Sequence, residues 1–194
     1  LLLIHSRLAF LIFKKQTNDQ IFRKMEQKII KEVCWGIIGV GDVCETKSGQ
    51  PLMQINNSSI KAVMRRNSDK AKDFAKRHGV KKWYDNADDL LNDPEINAIY
   101  IATPPETHAA YTLKAAAVGK PVYVEKPMAR SHKECQSMVV ACKKANVPLY
   151  VAYYRRTLPN ILKVKELIDS GSIGDIRSVD ITVQMTIENE IVGT

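Results

Sequence analysis

The chain has 194 residues, of which 45% are hydrophobic and 26% are charged, as is ordinary for a soluble globular protein. This length allows one substantial core, or one domain and part of a second. The net charge of +8 is dispersed along the chain: residues 1–32 contain seven Lys/Arg and three Asp/Glu, and residues 33–194 contain 22 Lys/Arg and 18 Asp/Glu. This distribution excludes the clustered cations of a nucleic-acid-binding surface.

The first 24 residues do not have the pattern of a folded domain. Residues 1–13 are apolar but interrupted at positions 5–7, and the run is shorter than the roughly 20 residues that span a bilayer. It also lacks the small-residue cleavage site of a secretory signal. Because Met25 begins a short leader into the first strand, we expect residues 1–24 to be an extension outside the native domain. A membrane-surface anchor is the alternative.

An apolar run at Val33–Ile38 stops abruptly at the glycine turn, Gly39 to Gly41. The run is typical of a buried parallel strand. The two glycines allow a tight turn that lets backbone N–H groups approach a diphosphate, and a helix starting near Asp42 adds partial positive charge. The third glycine position of this motif holds Cys44. Taken alone, the motif fits any strand–loop–helix connection equally well.

Strand-like and helix-like segments then alternate as far as Ala152. Gly79 is a C-cap signal and Asn86 an N-cap signal, and the helix at 131–146 is predicted to turn Cys135, Met138, Val139 and Cys142 inward. Alternation of this kind predicts an α/β fold, a Rossmann-type doubly wound parallel sheet covered by helices on both faces. The predicted strands are 33–38, 59–64, 82–84, 98–102, 121–124 and 147–152, and the predicted helices are 42–56 (broken near 49–51), 69–78, a short one after 86, 106–118 and 131–146.

The pattern changes after Leu158. One more helix is predicted, ended by Gly171, and apolar residues then alternate over 176–187, which indicates a strand with one covered face of the antiparallel kind. We therefore expect a dinucleotide-binding domain at 25–156 and the start of an α+β substrate and dimerisation domain with an open sheet at 157–194. A lone strand cannot cover its apolar face, so the second domain is expected to be truncated.

Two arginines follow the second predicted strand, where ligands of an open parallel sheet bind. An enzyme that selects NAD usually has Asp or Glu there, about 20 residues past the glycines. Here the place holds Arg65 and Arg66, and no carboxylate appears before Asp69. Guanidinium groups offer planar donors to a phosphate. The pair predicts NADP(H) rather than NAD(H), with solvated surface arginines as the alternative.

The fifth predicted strand ends in Glu125-Lys126-Pro127. A residue before proline has an extended backbone, which fixes the direction of the Lys126 side chain. Its ammonium would donate a hydrogen bond to a substrate hydroxyl and stabilise a developing alkoxide. Glu125 would hold the lysine stem. The common alternative is a surface lysine. His108, in a first helical turn, is of a type that more often packs or caps than catalyses.

The four cysteines include no CxxC pair and no histidine at ligand spacing. We therefore predict no metal site and no disulfide framework. Free thiols are typical of proteins in a reducing compartment, so the cytoplasm is the expected location.

Four segments together resemble the Gfo/Idh/MocA (glucose–fructose oxidoreductase / inositol dehydrogenase) family, over about residues 33–187. The resemblance implies a two-domain NAD(P)-dependent oxidoreductase, commonly a homo-oligomer, that acts on small sugars, cyclic polyols or related carbonyl compounds. It makes Lys126 the active-site lysine, while the Asp and His that complete proton transfer belong to the C-terminal half of the family. The segments are GIIGVGDV at 36–43, YIATPPETH at 100–108, AVGKPVYVEKP at 117–127 and VAYYRRTLP at 151–159.

The expected function is NADP(H)-dependent hydride transfer between nicotinamide and a secondary alcohol or ketone. A non-catalytic NAD(P)-binding sensor or subunit is the alternative. No nucleic-acid or membrane partner is expected. Lys126 is the predicted catalytic residue, and the candidate cofactor-binding residues are Gly39, Val40, Gly41, Asp42, Val43, Arg65, Arg66, Thr103, Pro104, Pro105, His108, Glu125, Lys126 and Arg156.

Overall fold

The computed structural model describes residues 31–182 and residue 184. The predicted extension at 1–24 and the end of the predicted 176–187 strand lie outside the described residues. The chain divides into two compact units, one that ends at Ala152 and one that begins at Tyr153. The domain boundary predicted after residue 156 lies close to this division.

Six strands form one wholly parallel sheet in the first unit. They are β1 (Val33–Ile38), β2 (Ser58–Met64), β3 (Lys82–Tyr84), β4 (Ala98–Ile101), β5 (Val122–Val124) and β6 (Leu149–Val151). The order across the sheet is β3-β2-β1-β4-β5-β6, which confirms the predicted Rossmann-type sheet. The order reverses at β1, so the carboxyl ends of β1 and β4 open a crevice between them.

Helices connect the strands, and polar side chains define where several of them begin. The Asn86 side chain accepts a hydrogen bond from the Asp88 N–H, which confirms the predicted cap, and the Ser131 side chain does the same for Glu134. The helices are α1 (Gly49–Gln54), α2 (Ser68–Arg77), α3 (Ala87–Asn92), α4 (His108–Ala117), α5 (His132–Ala145) and, in the second unit, α6 (Pro159–Asp169), with a π-helical segment at Cys44–Ser48 and 3₁₀ turns at Pro105–Thr107 and Tyr154–Thr157.

Both faces of the sheet are buried. Ile37 and Ile38, adjacent in β1, are each fully buried, but they belong to clusters on opposite faces. One cluster includes Leu90 of α3 and Met138 of α5, and the other includes Phe74 of α2. Because the central strands have no solvent-facing side, their sequences are continuously apolar rather than alternating.

The prediction that Val139 faces inward is wrong. Its side chain is 38% exposed, whereas Met138 and Cys142 are buried, and Cys135 is half-buried. Residues four apart on a helix lie one above the other, so the inward stripe of α5 runs through 138 and 142. Val139 lies at the side of this stripe.

The strand predicted at 176–187 is also not found over 176–182, which have no regular secondary structure. Ile181 is 82% exposed. Alternation describes how side chains would divide between two faces, but a strand forms only where a neighbouring strand completes its hydrogen bonds. Within the described residues of the second unit there is no such neighbour, and α6 is the regular element that remains.

An ion-pair cluster joins the π-helical segment to the end of α2. Glu45 Oε2 accepts from Arg77 Nη1 at 3.0 Å and lies 2.9 Å from His78 Nε2, and the Arg77 Nη2 group also contacts the Glu45 carboxylate. The hydrogen bonds from Arg77 lower the pKa of Glu45 to about 2. Because the folded pKa is depressed, the stabilisation is present above the unfolded pKa, near 4.5, and is lost as the pH falls toward 2.

Replacing Glu45 with glutamine is therefore expected to flatten the acid limb of the stability profile. Between pH 5 and pH 2.5 the free energy of unfolding should fall by about 1 kcal/mol less in Glu45→Gln than in the wild type, a value reduced for the solvent exposure of the pair. Urea unfolding across that pH range measures the difference. Asp85→Asn, which removes an exposed carboxylate without an ion pair among the described residues, is the control. Equal acid slopes for Glu45→Gln and the wild type would contradict the prediction.

Candidate functional site

The turn after β1 has a backbone conformation that favours glycine. Gly39 has a φ of +97°, and a Cβ there would lie 2.6 Å from Thr103 Cγ2 and 2.8 Å from the Thr103 nitrogen. The Gly39 N–H donates to Met64 O at 2.9 Å. The turn is thus confined between the end of β2 and the residues that follow β4.

Gly41 differs from Gly39, because the protein itself does not require a glycine there. No heavy atom would lie within 4 Å of a Cβ at Gly41, and its φ is outside the left-handed region. The Cys44 and Glu45 N–H groups donate to Gly41 O at 2.9 and 3.1 Å, so the helical backbone begins here. Open space beside a backbone that leads into a helix N-terminus suits the close approach of a diphosphate.

Cys44 fills the space below the turn. Its side chain is fully buried, and its thiol donates weakly to Gly39 O at 3.6 Å. Burial raises the pKa of this thiol to about 12, so the group is a neutral thiol at physiological pH and acts as a small apolar residue. The third position of the glycine motif therefore accepts a thiol in this packing.

A cleft of about 420 Å³ lies above the carboxyl ends of β1, β2 and β4. Its volume is within the range of small-ligand sites. Most of the candidate residues from the glycine turn, the end of β2 and the end of β4 line it. The predicted residues that line the cleft are Gly39, Val40, Gly41, Asp42, Arg65, Arg66, Thr103 and Pro104.

Arg65 reaches from the end of β2 to the glycine turn. Its Nη1 donates to Val40 O at 3.1 Å, which uses one of the five N–H donors of the guanidinium. Arg66 is exposed beside it at the edge of the cleft. The two guanidinium groups supply the site's positive charge, and a carboxylate that would accept bonds from a ribose 2′-hydroxyl is absent from the cleft lining at the end of β2, where Met64 and Asn67 are the other residues.

His108 does not reach the cleft. Its ring is fully buried, with Nδ1 3.0 Å from Pro127 O and Nε2 2.7 Å from Thr103 O. A ring enclosed by two backbone carbonyls has a packing role in the fold, and the predicted contact of His108 with a cofactor stays a prediction. Its effect is to tie the turn after β4 to the turn after β5.

Glu125 and Lys126 follow β5. Glu125 accepts hydrogen bonds from the Tyr100 hydroxyl and from the Lys126 backbone N–H, so it holds the lysine through the backbone rather than through the stem as predicted. The Lys126 side chain is exposed, and the Lys126–Pro127 peptide bond is cis. The catalytic role of this lysine stays a prediction.

Two of the remaining predicted residues, Val43 and Pro105, are not part of the cleft lining. Val43 is 39% exposed on the first helical turn, and Pro105 begins a 3₁₀ turn. Arg156 is exposed and belongs to the second unit. Their contacts with a cofactor stay predictions.

Four residues that line the cleft were not among the predicted site residues. Met64 ends β2, Ala102 directly follows β4, and Asn67 caps α2, so the rule that ligands bind at the carboxyl ends of strands was a usable signal for them. Tyr111 comes from the first turn of α4, beyond the strand ends. A tyrosine at that helical position carries no signal of its own.

The described part of the chain contains neither a metal-binding cluster nor a bilayer-spanning helix. It has no group of three or more His, Cys, Asp or Glu side chains arranged to hold a metal ion. Among its helices, none combines the length and the apolar character that crossing a bilayer requires.

The strand order, the glycine turn and the cleft above it define a dinucleotide-binding α/β domain. Residues 33–153 match the family model GFO_IDH_MocA, the oxidoreductase family with an NAD-binding Rossmann fold. The chain therefore belongs to the Gfo/Idh/MocA oxidoreductase family, and this domain is an NAD(P)-binding domain.

Relatives extend well beyond the region shared with this chain. Oxidoreductase P35 of Formosa agariphila is 52% identical over 152 residues, which are 78% of this chain and 47% of that protein. The chain thus spans about half the length of the curated relatives it matches.

Solved structures with the same fold include complexes with both nicotinamide dinucleotides. An oxidoreductase from Agrobacterium radiobacter in complex with NAD⁺, L-tartaric acid and magnesium aligns with a TM-score of 0.68 at 28% identity, over 74% of this chain and 42% of that one. A 3-ketoreductase from Actinomadura kijaniata in complex with TDP-benzene and NADP aligns with a TM-score of 0.68 at 25% identity, over 75% and 45%.

Proposed function

We propose that the full-length protein transfers hydride between NADP(H) and a secondary alcohol or ketone of a sugar, cyclic polyol or related compound. The observation that carries the proposal is the cleft between the glycine turn and the arginine pair, where Gly41 has open space that the protein's own packing does not need. The residues present fit a dinucleotide with a phosphorylated ribose. The neighbours bind NAD⁺ or NADP, so the choice rests on Arg65 and Arg66.

Each part of the cleft has a distinct task in this proposal. The backbone N–H groups at the start of the helix that follows Gly41 face the diphosphate. Arg66 and the free donors of Arg65 bind the 2′-phosphate, because planar guanidinium donors match phosphate oxygens. The bound dinucleotide supplies the hydride donor or acceptor, which no side chain provides.

Lys126 acts on the substrate oxygen. Its ammonium donates a hydrogen bond to the hydroxyl or carbonyl oxygen and stabilises negative charge that develops there during hydride transfer. The proton donor and acceptor that complete the reaction come, by the family resemblance, from the half of the protein that this chain does not span. That half also supplies most of the substrate pocket.

We propose further that the substrate is a free small molecule and that the full-length protein is a cytoplasmic homo-oligomer. The four cysteines, at positions 34, 44, 135 and 142, are all unpaired. Unpaired thiols in contact with a packed core suit a reducing compartment. The oligomer follows from the resemblance alone.

The cofactor choice is tested by titrating the full-length protein with NADPH and NADH and following nicotinamide fluorescence. The wild type is expected to bind NADPH at least about tenfold more tightly. Arg66→Ser should weaken NADPH binding about tenfold and leave NADH binding unchanged, since it removes charge-assisted bonds to the 2′-phosphate. Arg65→Ser should weaken both, because it also releases Val40 O in the glycine turn.

Lys72→Ser on the exposed side of α2 is the control and should bind both dinucleotides as the wild type does. Equal affinity of the wild type for NADH and NADPH would contradict the arginine assignment. Catalysis is tested by screening sugars and cyclic polyols for dinucleotide reduction. Tight NADPH binding with no turnover on any of them would favour the non-catalytic sensor.

A further inference from the structure

A series of hydrogen bonds connects the π-helical segment after the glycine turn to the turn that carries Lys126. Tyr100, fully buried in β4, has its hydroxyl 2.7 Å from Ser48 Oγ and 2.8 Å from Glu125 Oε1. Glu125 Oε2 accepts from the Lys126 N–H at 3.1 Å. The Tyr100 hydroxyl is therefore connected to the Lys126 backbone N–H through one intervening side chain, that of Glu125.

The proton positions along these hydrogen bonds follow from the chemistry of the groups that make them. A carboxylate only accepts hydrogen bonds, so the Tyr100 hydroxyl donates to Glu125. Its remaining lone pairs face Ser48, whose Oγ also lies 3.1 Å from Val43 O. Ser48 ends the π-helical segment, and such segments are frequent at functional sites.

Burial makes the Tyr100 bond hard to replace. With the side chain fully buried, bulk water has no access to the phenol, and burial raises the pKa of Tyr100 well above its ordinary value, so the hydroxyl keeps its proton. A hydrogen bond to a charged acceptor is stronger where solvent is excluded. Removing the phenol oxygen would leave Glu125 without its buried partner.

The turn that carries Lys126 (Glu125 to Pro127) also has a contact at Pro127, the residue that follows the lysine. His108 Nδ1 lies 3.0 Å from Pro127 O. Lys126 thus lies between Glu125, which is bonded to Tyr100, and Pro127, whose carbonyl lies against His108, while its own side chain is exposed. The protein can aim such a side chain only by fixing the backbone from which it extends.

We infer that Tyr100 is a positioning residue for Lys126 and acts through Glu125. The inference rests on the proposed role of Lys126 in hydride transfer. Tyr100 itself is not among the residues that line the cleft. Its effect is to hold the Glu125 carboxylate where it fixes the Lys126 N–H, and so to keep the ammonium within reach of the substrate oxygen.

The first test measures the backbone, without substrate or cofactor. Amide hydrogen exchange by NMR on full-length Tyr100→Phe should be about fivefold faster at Lys126 than in the wild type. The Glu125 amide, which donates to Ile101 O in the sheet, should be unchanged. Tyr123→Phe is the matched control: its ring contacts Tyr100 at a centroid distance of 5.3 Å, but its hydroxyl makes no hydrogen bond within the described residues.

Unchanged exchange at Lys126 in Tyr100→Phe would overturn the inference, as would an equal increase in Tyr123→Phe. Where Tyr100→Phe does not fold, Ser48→Ala replaces it. That variant removes the outer partner of the phenol and should raise the same exchange rate about twofold. No increase in Ser48→Ala would then overturn the inference.

The second test uses turnover on the substrate that the polyol screen identifies. Tyr100→Phe should lower kcat about tenfold with the KM for NADPH unchanged, and it should have no further effect in a Lys126→Met background, because it acts through the lysine. Multiplying effects in the double variant would overturn the inference. An unchanged kcat in Lys126→Met alone would instead refute the proposed function, while the exchange experiment would still decide the role of Tyr100.

Discussion

Replacing Lys126 with methionine is expected to lower kcat of the full-length protein by about 10³-fold and to leave the Kd for NADPH within about twofold of the wild type. Methionine keeps an unbranched stem of similar length but has no ammonium to stabilise charge on the substrate oxygen. Lys126 follows β5 and is not part of the cleft lining at the glycine turn, so dinucleotide affinity should be preserved. Steady-state kinetics and fluorescence titration measure the two quantities separately.

Lys133→Met is the matched control, because Lys133 is an exposed lysine near the start of α5. Its kcat should equal that of the wild type. Lys126→Arg should recover only part of the activity, since a planar guanidinium restores the charge but not the geometry of an ammonium. A loss of NADPH binding equal to the loss of kcat in Lys126→Met would place this lysine in cofactor binding rather than in catalysis.

The parallel sheet was predictable because each strand carries its own local signals. β1 is a short apolar run ended by glycine, and α3 begins at an asparagine cap. Strand–helix alternation then requires parallel pairing, since a crossover returns each strand in the same direction. These signals are contained within a few residues, which is why a single sequence reveals them.

The packing of the site was less accessible, because it depends on residues distant in the chain. The Tyr100 bond to Glu125 joins residues 25 apart, and the Arg65 bond to Val40 also spans 25. A tyrosine inside a predicted strand indicates that its ring is buried, but it does not indicate which group its hydroxyl bonds to. The enclosure of His108 between two carbonyls likewise needs the turns after β4 and β5 to be neighbours, which only the strand order establishes.

Gly39→Ala is expected to destabilise the domain by about 3 kcal/mol, with a fall in Tm of roughly 10 °C. The added methyl would meet Thr103 Cγ2 at 2.6 Å and the Thr103 nitrogen at 2.8 Å, on a backbone with a φ of +97°. A backbone nitrogen cannot move aside as a side chain does. NADPH binding should be lost together with the turn.

Gly41→Ala separates the needs of the fold from those of the ligand. Because a Cβ at Gly41 would meet no atom within 4 Å, the free energy of unfolding should stay within about 0.5 kcal/mol of the wild type. Affinity for NADPH should nevertheless fall about 100-fold, since the methyl occupies the space through which a diphosphate reaches the backbone. Thermal unfolding and fluorescence titration of both variants give the comparison. A Gly41→Ala variant that binds NADPH as the wild type does would move the diphosphate away from this turn, whatever Gly39→Ala does to the fold.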